Sequence, residues 1–180
     1  MAPAAVVSGR RISQDALKTE LDVNLRNPQL AQQVKGPNGD RNRKDFTRRV
    51  LAFLIELELL DQYAETNKVT VSRTEIDQAL QQTISGLGGE DAFKQELKLQ
   101  RLTVGAVRRS LGRQLLFQKV QDSVAARAGL PSTASQDQKG QAFQKWLTDR
   151  LRSGNIDVNP RFGRLDPKTG QILPITSTAA

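Results

Sequence analysis

Histidine and cysteine are both absent from the 180-residue chain. Without them, neither a Ser-His-Asp nor a Cys-His nucleophile can be assembled. A zinc site of the usual Cys/His type is also excluded, as are disulfides and redox cycling. Catalysis by carboxylates alone, or with Mg²⁺, stays open.

Aromatic residues are scarce and long apolar runs are missing. Aromatics make up 4% of the chain and apolar residues 37%, so the core must be built mainly from Leu, Val, Ile and Ala. The longest apolar stretch, 50–60, contains Glu56 and Glu58 and falls short of the roughly 18 residues that span a bilayer. The first residues lack the basic stretch and the apolar region of a secretion signal. These features predict a soluble protein.

Positive charge is concentrated at the two ends of the chain. The formal net charge is +8. Residues 1–50 contain ten basic and five acidic residues, 51–130 contain ten of each, and 131–180 contain seven and four. The densest basic patch comprises Arg41, Arg43, Lys44, Arg48 and Arg49. It predicts contact with phosphates or anionic lipids, while the plain alternative is a solvated loop that runs into a helix.

Hydrophobic periodicity predicts a mostly α protein with about six helices. We expect helices over 14–26, 45–66, 73–85, 90–100, 103–128 and 141–152. Ser13 and Thr103 are candidate N-caps, and Ser72 with Glu75 forms a capping box. The polar stretch 29–44 and the segment 131–140 are predicted to be a loop and a linker.

Two short β-rich segments lie near opposite ends of the chain. Residues 6–12 are β-branched around Ser8-Gly9, and Ile156, Val158 and Phe162 recur at even spacing. We expect these segments to pair as a small two-stranded sheet. The sequence then predicts one domain over 5–165, with a small lobe near 70–102, and a loosely ordered tail over 166–180.

The order of these apolar patterns resembles the N-terminal domain of SurA-type and PrsA-type foldases. The resemblance rests on the pattern of 50–64, on Val69-Thr70-Val71-Ser72 with Glu75-Ile76-Asp77, and on Phe93, Leu97, Val107-Arg108 and Gln114-Leu115-Leu116. The segments Val7-Ser8-Gly9-Arg10 and Ile156-Asp157-Val158-Asn159 resemble the family's entry and returning strands. The match covers roughly residues 5–165.

The resemblance implies an irregular helical chaperone domain that holds unfolded or newly exported polypeptides outside the cytoplasm, in the cell envelope or secreted. We expect a signal peptide or a lipid anchor to have been removed. Many relatives insert a parvulin prolyl isomerase before the final helix, whereas here that position holds only 131–138 and the chain has no histidine. We therefore expect no enzyme activity and no cofactor. An anionic membrane surface and a homodimer stay open as further partners.

Holding a client requires an apolar groove with adaptable walls, because unfolded chains expose apolar side chains in extended segments. Leu87, in a glycine-rich loop, and Leu99, off the main apolar stripe of its helix, are the strongest candidates for the groove, and ordinary core packing is the alternative for each. The candidate peptide-binding residues are Phe46, Phe53, Leu87, Phe93, Leu97, Leu99, Leu102 and Phe117.

Two other classes of function stay open. A basic nucleic-acid-binding or anionic-surface-binding helical protein is supported by the pI near 10.2, but no groove-reading motif is present. An enzyme that uses Glu56 and Glu58 is disfavoured, because residues two apart on a helix do not face each other.

Overall fold

The computed structural model describes residues 2–175, which contain seven helices and five short strands. The predicted mostly α fold class is confirmed. Residues 176–180 of the predicted tail lie outside the described residues. The elements are β1 (Ala5–Val7), β2 (Arg10–Ile12), α1 (Gln14–Asn24), α2 (Pro28–Gln33), α3 (Gly39–Thr66), α4 (Arg73–Gly86), α5 (Glu90–Gln100), α6 (Val104–Arg127), α7 (Gln136–Ser153), β3 (Ile156–Val158), β4 (Arg164–Leu165) and β5 (Ile172–Leu173).

The chain forms two compact units. Unit 1 comprises Met1–Asp61 with Gln144–Ala180, and unit 2 comprises Gln62–Phe143. The boundary between them falls once inside α3 and once inside α7. The predicted domain limits and the lobe near 70–102 stay predictions.

A three-stranded antiparallel sheet in unit 1 joins the two ends of the chain. Its order is β2-β1-β3, with Val7 opposite Ile156 and Ala5 opposite Val158. The predicted pairing of the terminal segments is therefore confirmed. The first segment is a hairpin rather than one strand, because Ser8 and Gly9 both have positive φ, as a tight two-residue hairpin turn requires.

The middle of α3 supplies the most deeply buried side chains of unit 1. Leu51 and Ile55 are fully buried, as is Val7 of β1, while α7 contributes Leu147 and Leu151. This burial explains why the stretch 50–60 of α3 has apolar residues on most of the helix circumference. Among the helices of residues 2–175, none combines the length and apolar character needed to cross a membrane.

Two predicted irregular segments are helical instead. The loop predicted over 29–44 is limited to 34–38, because Asn27 caps α2 by accepting a hydrogen bond from the Gln29 N–H (2.9 Å) and Pro28 takes the first helical position. α3 then begins at Gly39. The linker over 131–140 is also wrong in its second half, since Ser135 and Gln138 form a capping box at the start of α7 (2.9 and 3.2 Å).

Unit 2 is organised around α4, α5 and α6. The predicted capping box opens α4: the Glu75 N–H donates to Ser72 Oγ (3.2 Å), and the Ser72 N–H donates to Glu75 Oε2 (2.9 Å). The apolar cluster beneath these helices comprises Leu80, Ile84, Phe93, Leu97, Val107 and Leu111.

Polar contacts tie α4 and α6 together on their outer side. Lys119 of α6 donates to the Thr70 carbonyl (2.7 Å) and pairs with Glu75 (2.7 Å), while Arg108 pairs with Asp77. Together with the capping hydrogen bonds, the Lys119 ammonium holds the pKa of Glu75 at about 2. Glu75 therefore stays ionised through most of the acidic range.

Gly112 of α6 faces α4 at close range, since a Cβ at this position would lie 3.2 Å from Ile76 Cδ1. We expect Gly112→Leu to lower the free energy of unfolding by about 1–3 kcal/mol, because the larger side chain forces the packed surfaces apart. Gly112→Ala should change it by less than about 1 kcal/mol, since the gain in helix propensity offsets the tight contact.

Urea unfolding followed by circular dichroism measures both changes. Gly140 in α7 has nothing within 4 Å of its would-be Cβ and serves as the matched control. Gly140→Leu should leave stability unchanged or raise it, and an equal loss at Gly112 and Gly140 would contradict close packing at Gly112.

The low pKa of Glu75 predicts a pH-dependent contribution to stability. A carboxylate whose folded-state pKa is depressed stabilises the fold above its unfolded pKa, and this stabilisation is lost as pH falls through the folded pKa. Glu75→Gln should therefore be less stable than wild type above about pH 5.5, and the difference should close between pH 4.5 and about 2.

Urea midpoints measured from pH 7 to 2 test this expectation. Lys119→Met removes the largest cause of the depressed pKa, so the pH dependence in that variant should move upward toward the ordinary range of Glu. A difference between wild type and Glu75→Gln that stays constant from pH 7 to 2 would refute it.

Candidate functional site

A groove of 690 Å³ opens in unit 1 between α2, α3 and the C-terminal hairpin. Apolar side chains and a proline ring form much of its lining, supplied by Leu30, Val34, Phe46, Ala52, Phe53, Ile172, Leu173 and Pro174. Polar lining comes from α3 and from the turn before β5, mainly Asn42, Asp45, Arg48, Arg49, Glu56 and Gln171. The groove thus lies between two helices and a strand hairpin.

The helical wall owes its position to the connection between α2 and α3. The Asn42 side-chain amide donates to the Gln33 carbonyl (2.7 Å), which lies at the end of α2. The Gly39 N–H donates to the Gly36 carbonyl (2.7 Å) at the start of α3. These bonds satisfy backbone groups at the helix ends and hold Leu30 and Val34 over the first turns of α3.

The opposite wall is the β4–β5 hairpin, whose turn and second strand lie in the segment 166–180 that the sequence analysis assigned to the tail. Its turn is closed by Asp166, whose carboxylate accepts from the Lys168 N–H (3.0 Å) and from Thr169 Oγ1 (2.8 Å), and these bonds lower the pKa of Asp166. Gly163 precedes β4 with φ +132, and a Cβ there would lie 2.2 Å from the Leu173 carbonyl oxygen. Only glycine lets the two strands approach at this point.

Charged groups in the groove are partly neutralised locally. Arg48 pairs with Asp45 and is mostly buried, and the Arg49 guanidinium lies 5.7 Å from the centre of the Phe46 ring. Burial raises the pKa of Glu56. The groove is therefore an apolar surface with charged groups at its sides, of which Arg48 and Asp45 form an ion pair.

Two of the predicted peptide-binding residues belong to this groove. Phe46 lines it but is largely buried, whereas Phe53 keeps 43% of its surface exposed. Leu173, which sequence reasoning missed, faces the same groove and is 38% exposed. The signal that could have located α2 was Asn27-Pro28, an N-cap followed by a favoured first residue.

The other six predicted peptide-binding residues lie in unit 2. Phe93 is buried and Leu97 packs against its cluster. Phe117 stacks edge-on against Phe143, with ring centroids 5.0 Å apart, and keeps part of its surface exposed. Leu87, Leu99 and Leu102 are exposed. The predicted set is therefore divided between the two units, and its role in binding peptide stays a prediction.

The predicted basic patch lies along the first half of α3. Arg41, Arg43 and Lys44 are exposed to solvent, while Arg48 and Arg49 line the groove. Its position on a helix rather than in a loop places the five cations on several faces of α3.

The described part of the chain offers little catalytic chemistry. No group of three or more acidic side chains in residues 2–175 could hold a metal ion. Of the two carboxylates considered earlier, Glu56 lines the groove and Glu58 pairs with Arg10 of β2 at 3.6 Å. The groove is thus suited to binding apolar groups.

Comparison with known proteins gives consistent results. Chaperone SurA of Saccharophagus degradans is 27% identical over 160 residues, which is 86% of this chain and 35% of that protein. The chain thus spans about a third of the length of this relative.

A solved structure from work on PEB4 and Cj1289, two SurA-like chaperones of Campylobacter jejuni, superposes with a TM-score of 0.51 at 18% identity. The match covers 84% of this chain and 52% of that one, and it shows a shared fold.

A family match provides the assignment. The sequence pattern of the SurA-like N-terminal domain matches residues 1–121, which is more than half of the chain. The chain therefore belongs to the SurA-like N-terminal domain family.

Proposed function

We propose that this protein is a non-enzymatic chaperone that holds unfolded or newly exported polypeptides outside the cytoplasm. Family membership supports the chaperone role, since the relative from Saccharophagus degradans is named a chaperone. The Campylobacter jejuni SurA-like chaperone Cj1289 is a periplasmic protein, which supports the location. Without histidine and cysteine, neither a Ser-His-Asp nor a Cys-His nucleophile can be assembled, which is consistent with a binding role.

The observation that carries the proposal is the groove of unit 1, where Phe53 and Leu173 expose apolar surface inside a concave site of 690 Å³. Ligand sites of this size combine apolar walls with a few polar groups. An unfolded client presents apolar side chains along an extended backbone, and such side chains gain free energy when they leave water.

The walls of the groove suit clients of varied sequence. One wall comes from α2 and α3, and the other comes from the turn before β5 and from β5 itself. Side chains of different length line the two sides. Of the lining charges, Arg48 and Asp45 pair with each other and so impose little demand for a matching charge on the client. Binding in such a groove depends mainly on apolar contact.

We expect the double variant Phe53→Ser/Leu173→Ser to weaken client binding about 5–30-fold, because removing two half-exposed apolar side chains costs about 1–2 kcal/mol of burial. The measurement is fluorescence anisotropy with labelled, reduced and carboxymethylated α-lactalbumin, a permanently unfolded polypeptide. Light scattering from chemically unfolded citrate synthase should show a matching loss of aggregation suppression.

Val23→Ser provides the control, because Val23 is 49% exposed in α1 and does not line the groove. Wild-type binding should survive about 0.5 M salt, which screens surface charge. Equal weakening by Val23→Ser would remove the groove from the proposal. Binding that disappears with salt would instead favour the basic nucleic-acid-binding or anionic-surface-binding alternative.

A further inference from the structure

The turn between α5 and α6 in unit 2 exposes three large apolar side chains. Leu99 is 80% exposed, and Leu102 and Val104 are each 44% exposed. Single exposed apolar residues are ordinary on protein surfaces, whereas a cluster within one turn marks an interaction site.

Hydrogen bonds fix this turn in place. The Leu102 N–H donates to the Leu97 carbonyl (2.9 Å) and the Arg101 N–H to the Lys98 carbonyl (3.2 Å), the pattern of a Schellman motif. Thr103 then caps α6 by accepting from the Ala106 N–H (3.2 Å). The exposed leucines are therefore held outward by ordered backbone.

Arg101 occupies the left-handed position of this motif, with φ 53 and ψ 38. Glycine is the usual residue there because it adopts this conformation without steric cost. Arginine adopts the left-handed conformation only at a steric cost, and at this position it places an exposed cation next to Leu102 in the sequence. Its side chain is therefore a candidate for function rather than for folding.

Charge around the turn is mainly positive, although Glu96 lies one turn before Leu99 in α5. Residues 97–121 contain six basic and no acidic residues. Arg108 and Lys119 pair with Asp77 and Glu75 of α4. The other four are exposed and have no ion-pair partner within residues 2–175: Lys98, Arg101, Arg109 and Arg113.

Arg109 extends back toward the turn along α6. Its guanidinium lies 3.6 Å from the place that a Cβ would occupy on Gly105. Cations of α5, of the turn and of the first turns of α6 thus accompany the exposed leucines in the sequence.

We propose that the α5–α6 turn binds the surface of an anionic lipid bilayer. Leu99, Leu102 and Val104 enter the boundary between headgroups and acyl chains, while Lys98, Arg101 and Arg109 contact headgroup phosphates. Exposed apolar residues surrounded by Lys and Arg are typical of segments that lie in this interface. An extended peptide instead needs a concave site, and a turn that presents Leu99 at 80% exposure offers no surrounding wall.

Sedimentation with vesicles tests the proposal. Wild type should bind vesicles of phosphatidylcholine with 30% phosphatidylglycerol and not vesicles of phosphatidylcholine alone. Lys98→Gln/Arg101→Gln should weaken binding about 30-fold, since each cation near an anionic surface contributes about five-fold to the affinity. Leu99→Ser/Leu102→Ser should weaken it about 10-fold or more.

The control Arg41→Gln/Arg43→Gln removes the same charge from the exposed part of the basic patch in unit 1 and should change binding less than about 3-fold. Equal weakening by this control would overturn the proposal, because it would indicate adsorption by net charge. Wild-type protein that fails to bind anionic vesicles would overturn it as well, and so would leucine variants that bind like wild type.

A site-specific probe tests insertion directly, because the chain contains no cysteine of its own. Leu99→Cys labelled with an environment-sensitive fluorophore should shift to the blue with anionic vesicles, while labelled Val23→Cys should not. A shift with polyglutamate and none with vesicles would overturn the proposal in favour of an acidic polypeptide partner. The vesicle result is independent of the aggregation assay, so either proposal can fail alone.

Discussion

The antiparallel pairing of β1 with β3 is the constraint on which unit 1 depends. It joins residues separated by most of the chain, and such long-range closure has an entropic cost that contacts formed along the way must offset. Those contacts are apolar and excluded from water: Ala5, Val7 and Val158 are buried around the sheet, and Leu51 and Ile55 of α3 are fully buried. Without this closure, the C-terminal hairpin would have no fixed position against α3, and the groove would lose one wall.

Two kinds of apolar surface remain exposed after folding, and they differ in shape. In unit 1, Phe53 and Leu173 lie inside a groove with charged groups at its sides. In unit 2, Leu99 projects from an ordered turn among cations that have no ion-pair partner in the described chain. A groove can surround the side chains of an unfolded polypeptide, whereas a protruding turn is suited to entering the surface of a lipid bilayer. This difference is the physical basis for assigning them to different partners.

Local capping chemistry explains both the successes and the failures of sequence reading. Ser13, Thr103 and the Ser72–Glu75 box begin helices where expected. Asn27-Pro28 begins α2 and the Ser135–Gln138 box begins α7, although both helices start in or beside polar segments that were predicted to be irregular. The polar, glycine-rich composition of these segments favours the prediction of a loop. This prediction fails because the hydrogen bonds of an N-cap are enough to begin a helix.

The sequence by itself determined the helical class, because periodicity and capping are local properties that neighbouring residues encode, and the order of its apolar and β-rich segments predicted the family resemblance and the pairing of the chain ends. It also determined the absence of histidine and cysteine chemistry. Only the tertiary structure decided which apolar residues stay exposed: Phe46 and Phe53 lie two turns apart on nearly the same face of α3 and both line the groove, yet Phe46 is buried and Phe53 is 43% exposed. Exposure depends on what packs against each turn of the helix, and here that includes a hairpin more than a hundred positions away in the chain.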